Sequence, residues 1–195
     1  ETYHENLLEH LPELFWELPE GKLSAVRWRF ENLVTDLFVK TYCRKIGDWC
    51  REHNLYLTGH VMGEGSLSDQ TQAVGDAMRC YRAFVLPGID MLCDFHEYTT
   101  AKQTASIVHQ NGAEGMLSEL YGVIGWDYDF RGYKLQGDWQ AALGVTVRVP
   151  HLAWMTMKGE AKRDYPASIS YQSPWAEEFS MIEDHFARLN TALTR

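Results

Sequence analysis

The chain has 195 residues, enough for one full domain core, and it is read as a single domain over residues 1–195. Its 45% hydrophobic and 23% charged residues are those of an ordinary globular protein, and its apolar runs fall far short of the ~20 residues that span a bilayer, so no membrane partner is expected. A formal net charge of -9 argues against nucleic acid, which needs clustered Lys and Arg to displace counterions.

The start, Glu1-Thr-Tyr-His-Glu-Asn6, is polar and acidic and does not read as a signal peptide. Residues 7–16 suggest a short helix, closed by Pro19, Glu20 and Gly21. The clearest helix follows: Ser24 can cap it, apolar residues from Val26 to Cys50 recur at three and four, and Asn54 stops it. Leu55 to Met62 reads as a strand with the loop Gly63-Glu64-Gly65 after it, and residues 68–81 as a helix. A second strand is expected over Ile89 to Cys93, with Asp94, Phe95, His96 and Glu97 in its loop, then a helix from Thr100 to Gln110 ended by Asn111-Gly112. Gly115 to Asp127 reads as a short apolar strand that ends in Glu119 and opens into a glycine-hinged loop carrying Tyr121, Trp126 and Asp127. A long loop to Leu135 and a short helix over 137–143 follow. His151 to Met155 is read as a fourth strand, with Val145 to Val149 as the alternative, and a last helix is capped by Ser173 and started by Pro174.

Four βα units of roughly 30 to 40 residues specify a parallel sheet with right-handed crossovers. Neither Thr58-Gly59-His60 nor Gly63-Glu64-Gly65 has the GxGxxG frame, so no dinucleotide cofactor is expected. Cys43, Cys50, Cys80 and Cys93 form no CxxC pair, and Cys43 and Cys50 lie two helical turns or ~10 Å apart, too far for a disulfide. They are read as reduced, which leans slightly towards the cytoplasm, and no metal ligand set stands out.

Loops that follow the strands share one face of such a sheet, so residues distant in sequence converge there. Those loops carry His60 and Glu64, then Asp94, then Glu119, Tyr121, Trp126 and Asp127, then His151 and Trp154. A glutamate ending an apolar strand costs several kcal/mol unless it is paired, solvated or used, which makes Glu119 the first candidate. Carboxylates with indole faces suit glycoside hydrolysis, where one carboxyl protonates the leaving oxygen and a second attacks or activates water. Structural roles stand beside these readings: Glu64 as a loop tip, Asp94 as a helix cap, His60 and His151 as hydrogen-bonded core histidines.

Several stretches together, namely Leu117-Ser-Glu-Leu-Tyr-Gly with Gly125-Trp-Asp127, Asp138-Trp-Gln-Ala-Ala-Leu-Gly144, Gly159-Glu-Ala-Lys-Arg-Asp-Tyr-Pro166 and Tyr171-Gln-Ser-Pro-Trp175, resemble the catalytic barrel of large bacterial glycoside hydrolases of the α-L-rhamnosidase type. The resemblance implies the second half of a TIM (β/α)8 barrel, completed by dimerisation or by further sequence. It places the general acid on Glu64 and a second glutamate on Glu119; from the strand-end loops, His60, Asp94, Tyr121, Trp126, Asp127, His151 and Trp154 are read as binding a carbohydrate substrate. It also implies a calcium ligand near the acid, although Met62 and Gly63 precede Glu64 here. The expectation is therefore a glycosidase; the alternative is a catalytically silent, self-assembling half-barrel or a sugar-binding module.

Overall fold

The computed structural model describes residues 3–4, 6–92, 95–156, 158–159, 169 and 171–194. Asp94, Cys93 and residues 160–168 lie outside the described residues.

Four strands, β1 (Thr58–Gly59), β2 (Leu86–Asp90), β3 (Leu117–Leu120) and β4 (Val147–Pro150), pair in parallel and in chain order. The long helix before β1 consists of α2 (Ala25–Phe38), a π-helical stretch Val39–Arg44, and α3 (Lys45–Glu52). Ser24 Oγ caps its start by accepting the Arg27 N–H at 3.0 Å, and Asn54, at φ 55, turns the chain out of it. A short helix α1 (Leu11–Phe15) precedes it.

Between β1 and β2 lie α4 (Leu67–Val74) and α5 (Ala77–Tyr81) in place of one continuous helix. Gly75 separates them at φ 77, packed where a Cβ would meet Thr35 Oγ1 at 1.7 Å, and Asp76 caps the restart. The helix α6 (Thr99–Asn111) links β2 to β3 and ends at Gly112 in the left-handed region.

The first strand is shorter than expected and the second starts three residues earlier, and other boundaries shift too. The stretch read as a long loop to Leu135 is already helical from Phe130, in α7 (Phe130–Ala142), because Asp129 Oδ1 accepts the N–H groups of Arg131 and Gly132. The fourth strand is the alternative placement: Pro150 ends the ladder before the aromatic run His151 to Met155. The last helix, α8 (Ser180–Leu193), starts seven residues after Ser173; residues 171–179 form turns, and Trp175 and Phe179 pack on Phe130 instead of extending the helix.

Strand periodicity assigns the two faces of the sheet. Pro87, Ile89, Ser118 and Leu120 are buried beneath the helices, where Ile89 packs with Ala101, Ala105 and Met116, and Leu120 with Tyr133 and Phe186. Leu86, Asp90, Leu117, Glu119, Val147 and Val149 alternate with them and are half-buried or exposed on the opposite, inner face. This is half of a (β/α)8 barrel. One helical layer precedes β1, three link the strands and one follows β4, so four strands carry five layers.

The α7–α8 contact is close: a Cβ on Gly137 would lie 2.1 Å from Phe186 Cζ and 2.8 Å from the Tyr121 hydroxyl. Gly137→Ala is expected to push α8 outward and cost about 1–3 kcal/mol. Urea unfolding followed by far-UV circular dichroism checks this.

Candidate active site

The C-terminal ends of β1, β2 and β3 bring three chemistry-bearing side chains together. Register sets Asp90 beside Glu119, and His60 follows Gly59 on the neighbouring strand. His60 Nε2 lies 3.4 Å from Glu119 Oε2 and 4.0 Å from Asp90 Oδ2, and each side chain is about a third exposed. A strand over Ile89–Cys93, as the sequence suggests, hides Asp90 in its middle; the strand in fact ends at Asp90. The period-two pattern Leu86, Gly88, Asp90 puts it inward at a strand end, just as Leu117 and Glu119 are placed.

Glu64 has a different environment. It is 6% exposed, and its carboxylate accepts the Val61 N–H at 3.1 Å, the Asp90 N–H at 2.7 Å and the Tyr81 hydroxyl. Its own carbonyl accepts Gln70 Nε2 and the Thr100 hydroxyl. The β1 ladder ends at Gly59, which would leave the Asp90 N–H without a strand partner; Glu64 supplies the acceptor. Burial pushes the Glu64 carboxyl above its ordinary value, with the three donors opposing, and burial next to Glu64 pushes the Tyr81 hydroxyl up as well. The arrangement fixes the backbone from which Asp90 projects.

After Glu119 the chain takes an unusual path, with Tyr121 at φ 69 and Val123 at φ 61. The Tyr121 ring is 1% exposed, packed edge-on to Tyr133 at 4.7 Å on the helix side of the sheet, and burial pushes its hydroxyl up to about 12. It anchors the loop and presents no open face for stacking. Trp126 is half-buried and Asp127 exposed in the same loop. His151 follows β4, its N–H bonded to the Leu120 carbonyl at 2.7 Å, its ring against Gly122 and 6.2 Å from the half-buried Trp154. The strand ends thus gather His60, Asp90 and Glu119, while Glu64 and Tyr121 hold backbone around them. Asp94 is outside the described residues.

A hollow of about 280 Å³ opens beside Asp90, walled by Met91, Leu92, Phe95, Glu97 and Val123. A second, of about 270 Å³, lies between β4, α7 and α8, away from the strand-end carboxylates.

Among the described residues, His60, Asp90 and Glu119 form the one group that could hold a metal ion, their ligand atoms all lying within 4.8 Å of one another. The set is mixed. An imidazole with two carboxylates suits a borderline divalent ion, whereas calcium takes oxygen ligands, so the trio does not match a calcium site.

No family model and no curated protein matches the chain. The fold is similar to that of a rhamnosidase from Novosphingobium sp. PP1Y, with a TM-score of 0.69 and 18% sequence identity over 87% of this chain. The chain spans 17% of the length of that protein.

Because burial raises Glu64 above 4.5, the folded protein holds this proton more tightly than the unfolded chain does. Its contribution to stability is present below the unfolded value and lost as pH rises through the folded value. Glu64→Gln is expected to lose that component, so the gap between wild type and variant narrows or inverts as pH rises from about 4 to about 8, measured as urea midpoints. An unchanged gap would show that Glu64 ionises in the folded state as it does unfolded.

Proposed function

We propose that the strand-end rim is part of a glycoside-cleaving centre, with Glu119 and Asp90 as the reacting carboxylates. The observation that carries this reading is their side-by-side register, with His60 Nε2 3.4 Å from Glu119. Similarity to a rhamnosidase fold supports the same class and suggests an α-L-rhamnoside as the first substrate to try.

The two carboxyl groups approach within 4.8 Å. Acid and base that activate a water between them stand ~6.5–9.5 Å apart, whereas a nucleophile and its acid stand ~5–5.5 Å apart. With an oxygen of each no more than 4.8 Å from the other, the pair stands closer than the inverting spacing, and retention is the outcome we assign to it. Glu119 attacks the anomeric carbon while Asp90 protonates the leaving oxygen; Asp90 then takes a proton from the water that releases the sugar from Glu119. His60 orients the Glu119 carboxylate. Glu64, proposed from sequence as the acid, here serves by holding the Asp90 backbone, and His151, Trp126 and Trp154 are left as candidate walls of the sugar site.

Four strands supply half of a barrel rim, and the source of the rest is also a proposal. A second copy is the poorer candidate: two copies would bring ten helical layers to an eight-stranded barrel that takes eight. Further sequence with four strands and three connecting helices closes the ring without surplus, in keeping with the small share of the rhamnosidase that this chain spans.

Glu119→Gln is expected to lower kcat on an aryl α-L-rhamnoside about 10²–10⁴-fold while binding persists. Proton NMR of the first-formed product should show the retained anomer. An inverted product would remove Asp90 as the partner of Glu119. Binding without turnover in wild type would favour the sugar-binding module.

A further inference from the structure

Two of the cysteines meet inside the helix layer, away from the strand-end rim. Cys43 is 1% and Cys80 0% exposed, and both belong to the apolar cluster that includes Val39, Val61, Tyr81 and Ile107. A buried thiol ordinarily packs as a small hydrophobe. That role does not call for a thiol on each side of the contact, yet the Cys43 and Cys80 side chains hydrogen-bond to each other.

The backbone brings them together in an uncommon way. Cys43 lies within the π-helical stretch Val39–Arg44, whose wider turn re-aims side chains relative to an α-helix, and such turns concentrate at functional sites. Cys80 comes from α5, a helix of five residues between the break at Gly75 and β2. The bond between the sulfurs has unequal ends. Donation from Cys80 holds the Cys43 thiol below its ordinary value, and the same bond together with burial pushes the Cys80 thiol up. Cys43 is therefore the sulfur that ionises first and the better nucleophile of the two.

We propose that Cys43 and Cys80 are a redox-active dithiol, which a low-molecular-weight disulfide such as oxidised glutathione converts into a cross-link between the π-helical stretch and α5. The Cys43 sulfur, its proton released, attacks one sulfur of the reagent; the reagent S–S bond breaks, and the departing half takes up the proton and leaves as a thiol. The Cys80 sulfur then attacks the Cys43 sulfur of the mixed disulfide and displaces the second half, which takes the Cys80 proton. The protein pair loses two electrons and two protons, and the reagent is reduced to two thiols. Because both sulfurs are buried, the first attack occurs when the short α5 parts from the long helix.

The cross-link is felt at the sheet. Tyr81 follows Cys80, its hydroxyl donates to the Glu64 carboxylate, and Glu64 in turn accepts the Asp90 N–H. A covalent bond holds two sulfurs closer than a hydrogen bond does. Oxidation thus draws α5 towards the π-helical stretch, shifts Tyr81 against Glu64 and is read at the Asp90 backbone.

The test exposes the intact protein, without denaturant, to excess oxidised glutathione. Remaining thiols are then alkylated in denaturant and the peptides mapped by mass spectrometry without reductant, while backbone amide spectra are recorded before oxidation, after it, and after reduction with dithiothreitol. Cys43 and Cys80 are expected to lose alkylation and to appear in one linked peptide pair, two hydrogens lighter than the reduced pair, and the Asp90 amide should shift and then return on reduction. Cys50→Ser should leave the link in place, and Cys43→Ala should abolish both the link and the Asp90 shift. The wild-type map decides even where Cys43→Ala fails to fold. Full alkylation of Cys43 and Cys80 after exposure, linkage of either to Cys50 or Cys93, or a Cys43–Cys80 link that leaves the Asp90 amide unmoved overturns the proposal.

Discussion

The Glu64 carboxylate bridges two strands where the backbone ladder runs out. β1 pairs over only two residues, yet His60 and Asp90 must be held in fixed relation just beyond it. One buried side chain does this by accepting the Val61 N–H from the β1 side and the Asp90 N–H from β2, while Tyr81 saturates it from the helix layer. Removing a partner from such a cluster leaves a buried polar group unsatisfied, at about 1–3 kcal/mol. Placement of Asp90 depends on it, and so do the approach of Gln70 and Thr100 to the Glu64 carbonyl.

On that frame the site divides its labour by face. Side chains pointing into the helices fix backbone: Leu120 and Tyr121 on Tyr133, Arg148 over the Phe186 ring at 3.7 Å and bonded to Glu183. Side chains pointing inward at the strand ends are left a third exposed, free to meet a ligand: His60, Asp90 and Glu119. The inner face is polar at the rim and apolar below it, at Leu86, Leu117 and Val147. Among the described residues the sheet has two open edges and an apolar inner face, features that soluble proteins ordinarily cover, and the outward N–H that Pro150 lacks limits how much pairing β4 can offer an added strand.

Helix order, the parallel sheet and the place of Glu119 near a strand end were legible in the sequence because they rest on strong local signals: a capped amphipathic run from Ser24, and a carboxylate closing an apolar strand. Asp90 was not. Its strand begins with Leu86-Pro-Gly88, residues that weigh against a strand in isolation, and only pairing on both sides makes them one. The helix at Phe130 was hidden by Gly132 and Gly137, which cost helix propensity but let Tyr128 and Phe186 approach. Glu64 looked like a reactive loop residue between two glycines because its partners, Tyr81 and Asp90, stand 17 and 26 residues away. The strain at Val123 has no signature in sequence.

The central claim is that ligand binds at the strand ends, around His60, Asp90 and Glu119. Backbone amide spectra of the labelled protein, recorded while an aryl glycoside is titrated, test it most directly. The account predicts that the shifting amides cluster at residues 60–65, 90–92 and 119–123. Shifts confined to the groove between β4 and α8, at residues such as Val147, Glu183 and Asn190, would contradict it.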